Sequence, residues 1–346
     1  MTHVLRRPAI WPLLLAAPAL LGASQPPGAP PAAPVPAAPP TETGETLLTG
    51  EVVPFVQPFD LDATRRMAVK VMVAGEGPFS FLVDTGAERT VIARELADRL
   101  GLVEGRKLRL ATIGSSTTAP SFRVAALHMT DLSMTGFDAP AFPGRHIGAA
   151  GLIGVDMLEE RRVLIDFRKE TMEILETRLR ARPIIRDDDA IVVTARNSAG
   201  RLILSDARID GKRIDVIVDT GAQTSVGNPA LQKLVAAKRA HRFPFLPTVL
   251  NAVSGEAVPA TRTAIRSIAI GGMTVNDLPV SFADSQAFRA LGLAERPALL
   301  LGMDSLSLFD RIEIDFPNKR VVFDMPDGAG RPPAARFAAI GWAPGS

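Results

Sequence analysis

The first regular pattern along the chain is an alternation of apolar and other residues over Met67–Val73, which predicts a β-strand with one face in the core. The residues of that face are Met67, Val69, Val71 and Val73. The turn-forming segment 75–78 then leads into a second apolar run, which ends at Asp84. We therefore expect a β-hairpin that holds Asp84 rigidly in place.

Residues 90–100 change to a helical spacing, with Ile92, Leu96 and Leu100 on one side. Gly101 follows at the position where glycine commonly ends a helix. The pattern predicts a helix over 90–100 that serves as scaffold.

The second half of the chain repeats this plan. Apolar runs at 202–204 and 207–209 are joined by the turn dipeptide at 210–211 to the run 214–218, which ends at Asp219. A second hairpin carrying a second acid is therefore predicted.

A helix is predicted to follow the second acid, because Asn228 suits the N-cap and Pro229 suits the first helical position. Another helical segment is predicted at 284–293, where the second half carries 13 extra residues. Its residues Phe288 and Leu291 could border a cleft, but we expect them mainly to pack in the core.

The composition supports a sizeable core and excludes several kinds of chemistry. Hydrophobic residues make up 47% of the 346, and the formal net charge is only +2. No dense Lys/Arg run is interleaved with aromatic residues, so nucleic-acid binding has no support. The absence of cysteine excludes disulfides, thiolate nucleophiles and cysteine-based zinc sites. His128 and His146 lack a partner histidine at ligand spacing, so we expect surface or packing roles and no metal.

The amino terminus has the pattern of a secretory signal peptide. Two arginines precede an apolar run over 10–21, and small residues follow at 22–24. We expect 1–23 to be a signal peptide cleaved after Ala23, so that the protein is exported, either periplasmic or secreted. The alternative is an uncleaved anchor, the one case in which we expect membrane contact, although the run is short for a span.

Composition also divides the rest of the chain. Residues 24–46 are rich in Pro and Ala and are predicted to be a disordered linker, with a removable propeptide as an alternative. The remaining parts are a first unit at 47–180, a connector at 181–190, a second unit at 191–326 and a tail at 327–346. The three acids at 187–189 lack the spacing of a calcium loop, which favours a solvated linker.

The candidate chemistry lies in a motif that occurs twice, 135 positions apart. At 81–87 and 216–222, three apolar residues run into Asp-Thr-Gly-Ala. A lone ionised carboxylate at the end of a buried strand is costly. Two carboxylates held close together cannot both ionise, so such a pair keeps one proton and can act as acid and base. Asp84 and Asp219 are therefore the candidate catalytic residues.

The residues beside each acid fit this arrangement. Thr85 and Thr220 offer hydroxyls that can brace the neighbouring backbone, and Gly86 and Gly221 remove the Cβ where chain and ligand approach closely. A second shared motif, apolar-apolar-Gly, follows at 152–158 and again at 300–306.

With both motifs in each half, the chain resembles the retropepsin-like aspartic proteases, as two such units in one chain, over about residues 60–326. The resemblance implies a mainly all-β, acid-protease β-barrel fold with two pseudo-symmetric lobes and a few short helices. It implies that Gly154 and Gly302 lie on strands that pack beneath the acid loops. It also implies flaps over the cleft, which we place near 111–119 and 250–259.

The resemblance further implies an aspartic endopeptidase that needs no metal or cofactor, acts on a peptide or protein and works through Asp84 and Asp219. We expect a monomer whose lobes pair within one chain; pairing of each half with another chain is the alternative. A non-catalytic peptide-binding or structural protein on the same fold is the competing function. The chain has no tyrosine for a flap, and alanine follows each Asp-Thr-Gly, which favours the retroviral-like branch.

Overall fold

The computed structural model of the protein describes residues 55–61, 66–129, 132–185, 187, 190–237, 243–326 and 335–336, with the backbone alone at 55–57 and 335–336. All of them belong to one compact unit, residues 51–346. The predicted signal peptide at 1–23, the linker at 24–46 and most of the tail at 327–346 lie outside the described residues. The predicted boundaries between units stay predictions.

Strands dominate the described chain. The strands of the first half are β1 (Phe55–Pro58), β2 (Asp60–Leu61), β3 (Met67–Val73), β4 (Glu76–Val83), β5 (Val91–Ala93), β6 (Leu108–Ala111), β7 (Ser116–Ala119), β8 (Ser121–Met129), β9 (Leu132–Phe142), β10 (Gly151–Ile153), β11 (Arg161–Asp166) and β12 (Thr171–Glu176). Those of the second half are β13 (Ile191–Ser198), β14 (Arg201–Ile209), β15 (Lys212–Val218), β16 (Val226–Gly227), β17 (Leu246–Asn251), β18 (Ala257–Ile270), β19 (Met273–Phe282), β20 (Ala298–Leu301), β21 (Arg311–Asp315), β22 (Arg320–Asp324) and β23 (Ala335–Arg336). The helices are α1 (Arg94–Arg99), α2 (Gly144–Ile147), α3 (Pro229–Ala236), α4 (Gln286–Ala290) and α5 (Met303–Leu306), and a 3₁₀ turn lies at Val155–Met157. The mainly all-β prediction is confirmed.

The first predicted hairpin forms from β3 and β4, which pair antiparallel. Met67, Val69, Val71 and Val73 are at most 1% exposed, so the alternating face does lie in the core. On its other side β4 pairs with β10, which runs parallel to it. Because β4 ends at Val83, Asp84 leaves the sheet at the end of a strand that is paired on both sides.

The helix predicted at 90–100 is wrong in its first part. Val91–Ala93 is the strand β5, and the helix covers only Arg94–Arg99. β5 pairs antiparallel with β10 and parallel with β9, and all three of its residues are buried. The two β-branched residues fit a buried strand, so sheet pairing overrides the helical spacing. Gly101 does follow the helix in the left-handed region, at φ 60.

The second lobe repeats the first. β14 and β15 form the predicted hairpin, and β20 runs parallel to β15 as β10 does to β4. Asn228 caps α3 by accepting a hydrogen bond from the backbone N–H of Leu231 at 2.8 Å, with Pro229 at the first position as predicted. α4 forms inside the segment 284–293, and Phe288 is 1% exposed, so its packing role is confirmed.

The two lobes share a sheet. The part of this sheet that joins them has the order β1-β12-β11-β21-β22-β13, with a hairpin of the first lobe, β11–β12, beside the equivalent hairpin of the second, β21–β22. The central pair, β11 and β21, runs antiparallel with Leu164 opposite Glu313. This arrangement joins the duplicated halves as pseudo-symmetric lobes.

Buried charges lie in the middle of this sheet. Arg162 on β11 donates a hydrogen bond to Asp315 on β21 at 2.8 Å, and its guanidinium is 3.3 Å from Glu313. Glu313 also accepts hydrogen bonds from the backbone N–H groups of Ile184 and Ile185, at 2.6 and 3.0 Å. The connector between the lobes is therefore anchored in the sheet, where Ile185 is 2% exposed.

Among the described residues, no helix combines the length and the apolar character that crossing a membrane would require.

Candidate active site

The two acids leave equivalent strands, and each is held by a neighbouring strand. The N–H of Asp84 donates to the carbonyl of Ile153 at the end of β10, at 2.9 Å. The N–H of Asp219 donates to the carbonyl of Leu301 at the end of β20, at 3.0 Å. The backbone of each acid is thus fixed by the parallel strand beside it.

Each carboxylate is oriented by its own loop. Asp84 Oδ1 accepts hydrogen bonds from the N–H groups of Gly86 and Ala87, both at 2.8 Å. Asp219 Oδ1 accepts equivalent bonds from the next two N–H groups of its loop, both at 3.0 Å. One oxygen of each carboxylate is thus fixed by its own loop.

The structure brings Asp84 and Asp219 together by packing each loop against the opposite acid. A Cβ built on Gly86 would lie 2.4 Å from Cγ of Asp219, and one built on Gly221 would lie 2.1 Å from Cγ of Asp84. Such distances are far below van der Waals contact, so only glycine fits at either position. The carboxyl groups are near enough to interact through a side-chain hydrogen bond.

The threonines next to the acids brace the two loops against each other. Thr85 Oγ1 donates to the carbonyl of Val218 at 2.9 Å and accepts from the N–H of Thr220 at 3.1 Å. Thr220 Oγ1 makes the equivalent pair of hydrogen bonds: it donates to the carbonyl of Val83 at 2.8 Å and accepts from the N–H of Thr85 at 3.1 Å. Both side chains are buried, so this reciprocal network ties lobe to lobe directly beneath the acids.

We expect the change Thr220→Val to lower the free energy of unfolding by about 1–3 kcal/mol, because it leaves buried backbone groups without their partner. Urea titration of the wild type and the variant measures the difference. The matched control is Thr194→Val on an exposed position of β13, expected to stay within about 0.5 kcal/mol. Equal stability of the wild type and Thr220→Val would contradict the bracing role.

Burial raises the pKa of both acids. For Asp219 the loss of solvation is the largest cause and the negative charge of Asp84 is the next, and together they raise its pKa to about 7. The pKa of Asp84 is also raised by burial, against the opposing effects of its loop N–H groups and of the Arg201 charge. A pair of this kind retains one proton well above the usual pKa of a carboxyl group.

The structure places Gly154 and Gly302 directly after β10 and β20, one residue beyond the strands on which the resemblance implied them. A Cβ on Gly154 would lie 2.4 Å from the backbone carbon of Arg89, and one on Gly302 would lie 2.7 Å from that of Thr224. These close approaches let the strand–turn segments pack against the chain that follows each Asp-Thr-Gly.

Two further acids support these glycines, and the sequence reasoning missed them. Asp156 accepts hydrogen bonds from the N–H and the hydroxyl of Thr90, at 2.9 and 2.7 Å, and Thr90 Oγ1 accepts from Gly154. Asp304 binds Ser225 in the same way, at 3.1 and 2.8 Å. Burial raises the pKa of both acids. The available signal was the acid two positions after each repeated glycine.

Hairpins form at both positions predicted for flaps. β6 and β7 enclose a tip at 112–115, within the predicted 111–119. β17 and the start of β18 enclose a tip at 252–256, within the predicted 250–259.

The two tips meet. A Cβ on Gly114 would lie 2.3 Å from Oε2 of Glu256, and Ile113 packs against the apolar cluster of the second lobe. Gly255 lies against the ring of His146 on α2, where an added Cβ would be 2.3 Å from the ring. His146 is thus a packing residue, and the two hairpin tips make contacts between the lobes.

No group of three or more His, Asp or Glu side chains in the described part of the chain is arranged to hold a metal ion. Of the three acids at 187–189, Asp187 is described, and it pairs with Arg311.

Comparison with known families finds one that matches both halves of the chain. The sequence model described as aspartyl protease matches residues 69–157 and 205–305, and each match contains one of the two acids. The search of curated proteins finds no match.

Proposed function

The chain belongs to the aspartyl protease family, and from this premise we propose that it is an aspartic endopeptidase whose water is activated between Asp84 and Asp219. The observation that carries the proposal is the reciprocal packing of Gly86 and Gly221 against the opposite carboxyl groups. This packing holds the buried Asp219 and the half-buried Asp84 in one site, where they share a proton.

The proposed reaction needs no covalent intermediate. The ionised carboxylate takes a proton from the water, while the protonated acid donates a hydrogen bond to the carbonyl oxygen of the scissile bond. The water oxygen bonds to the carbonyl carbon, which gives a tetrahedral intermediate. As the C–N bond breaks, the acid that gained the proton transfers it to the leaving nitrogen. The pair returns to its one-proton state with each product complete.

The flap contacts support a cleft that shields this reaction from bulk water. Ile113 packs against the apolar cluster of the second lobe and Gly114 lies against Glu256 of the second tip, and a bound peptide takes the place of these contacts. Opening and closing of flaps is a common step in enzymes that enclose an extended substrate.

We expect peptide cleavage to fall as the pH rises through about 7, because the pKa of Asp219 is about 7 and the pair then loses its shared proton. The free energy of unfolding is expected to change with pH in the same direction. A carboxyl pKa raised in the folded state stabilises the fold fully below its unfolded value, 3.8, and this contribution is lost as the pH rises through about 7. The measurements are kcat/KM and Tm between pH 4 and pH 8.

The control for the stability measurement is Asp219→Asn, which cannot titrate at that position. Its Tm should change less than that of the wild type over the same pH range. Parallel Tm curves for the two proteins would contradict the raised pKa of Asp219.

A mixed peptide library tests the function itself. Cleavage that pepstatin inhibits supports the protease, whereas binding of peptides without any cleavage supports the non-catalytic alternative.

We also propose that the lobes pair within one chain, so specific activity should be unchanged on dilution. Export to the periplasm or the exterior, with membrane contact only for an uncleaved signal segment, belongs to the same proposal.

A further inference from the structure

Arg201 lies where the second lobe crosses to the first. The hairpin β13–β14 turns at Ala199 and Gly200, both with positive φ, 50 and 79. Gly200 lies against the first lobe, since a Cβ there would be 3.3 Å from Val155 and 3.4 Å from Glu159. Arg201, the first residue of β14, is therefore presented to the acid loop of the other lobe.

The guanidinium of Arg201 holds that loop at Gly86. Its Nε–H donates a hydrogen bond to the carbonyl of Gly86 at 2.5 Å. The N–H of Gly86 in turn donates to Asp84, and the Cα of Gly86 faces the carboxyl group of Asp219. One cation from the second lobe thus holds the glycine that contacts both acids.

The first lobe has an arginine at the same position but uses it differently. Ala68 pairs with Leu82 and Ile203 pairs with Ile217, each partner two residues before its acid, so Arg66 and Arg201 are equivalent in the two lobes. Arg66 donates to the carbonyl of Ile147, inside its own lobe, at 3.0 Å. The duplicated arginines have therefore acquired different partners.

We propose that Arg201 is a positioning residue that holds the acid loop of the first lobe from the second and sets the pH range in which the pair works. The proposal rests on the proposed function. The loss of its hydrogen bond lets Gly86, and with it Asp84, move from the reactive geometry. The loss of its charge removes a cation that favours the ionised form of both acids.

The charged groups around the pair set the direction of the effect. Asp84 and Asp219 face each other, Arg201 faces both, and Glu159 lies across from the turn that carries Arg201. The cation lowers the pKa of each acid against the effect of burial. Neutralising Arg201 therefore moves the acidic and the basic limb of the kcat/KM profile to higher pH.

The test compares Arg201→Gln and Arg201→Lys with the control Arg66→Gln. We expect Arg201→Gln to move the kcat/KM profile upward by about 0.5–1 pH unit and to lower kcat by about tenfold, with a smaller change in KM. Arg201→Lys retains the charge, so its profile should stay near that of the wild type while kcat falls. Arg66→Gln should leave the profile in place.

A second readout separates this proposal from the proposed function. Carboxyl ¹³C chemical shifts of labelled aspartates follow the protonation of the pair in a protein that need not cleave anything. Unchanged titration midpoints in Arg201→Gln would overturn the role of the charge, whether or not the wild type is a protease. Should Arg201→Gln not fold, a wild-type kcat in Arg201→Lys would overturn the positioning role. Absence of cleavage by the wild type, with shifted midpoints in Arg201→Gln, would count against the function alone.

Discussion

Replacing Asp84 or Asp219 with asparagine is expected to lower kcat/KM for peptide cleavage by about 10²–10⁴-fold or more, because one acid must carry the proton from the water to the leaving nitrogen and the other must donate a hydrogen bond to the scissile carbonyl. Asparagine has nearly the shape of aspartate, so both variants should fold. The N–H groups of each loop can still donate to the amide oxygen that replaces Oδ1. The measurements are steady-state kinetics on a cleaved peptide and circular dichroism of the same samples.

The matched control is Asp98→Asn, an exposed acid on α1 that belongs to neither acid loop. It should cleave at the wild-type rate. An Asp84→Asn or Asp219→Asn variant that folds and still cleaves peptides at a similar rate would refute the assignment of the two acids.

Adding one methyl group at Gly221 or Gly86 is expected to abolish cleavage as well, for a steric reason. The new Cβ would lie 2.1 Å from Cγ of Asp84 in Gly221→Ala and 2.4 Å from Cγ of Asp219 in Gly86→Ala. One loop must then move away from the opposite acid, which separates the pair. Overpacking of this kind also costs about 1–3 kcal/mol of stability.

The control Gly211→Ala separates the contact from the general effect of the substitution. Gly211 has φ 79 and open space around a Cβ, so the change should cost about 1 kcal/mol of stability and leave kcat/KM unchanged. Wild-type cleavage by Gly221→Ala would show that the loops do not need their close approach. Urea titration and steady-state kinetics on the same preparations measure the free energy of unfolding and kcat/KM.

The sequence predicted the parts of the site that depend on local pattern. Alternation in β3 and the apolar run of β4 place Asp84 at a strand end, and the repeat around Asp219 predicts a partner for it. A glycine follows each acid two residues later, so the geometry of the loop could also be predicted from the sequence.

Other parts depend on contacts between distant segments, which no local pattern records. Asp156 reaches Thr90 over 66 residues, and Arg201 reaches Gly86 over 115. The helix expected at 90–100 failed for the same reason, since its first residues pair with β9 and β10, which come later in the chain. Helical spacing and a short buried strand look alike until the neighbouring strands are known.

The shared sheet has a consequence for how the chain is made. β11 finds its partner β21 only after about 150 further residues, so a nascent chain that has completed its first half keeps β11 with one open edge. The buried Arg162 on that strand also lacks its hydrogen-bond partner, Asp315, until the second half is made. An unpaired edge of this kind invites aggregation, and half-length fragments should be poorly soluble when expressed alone.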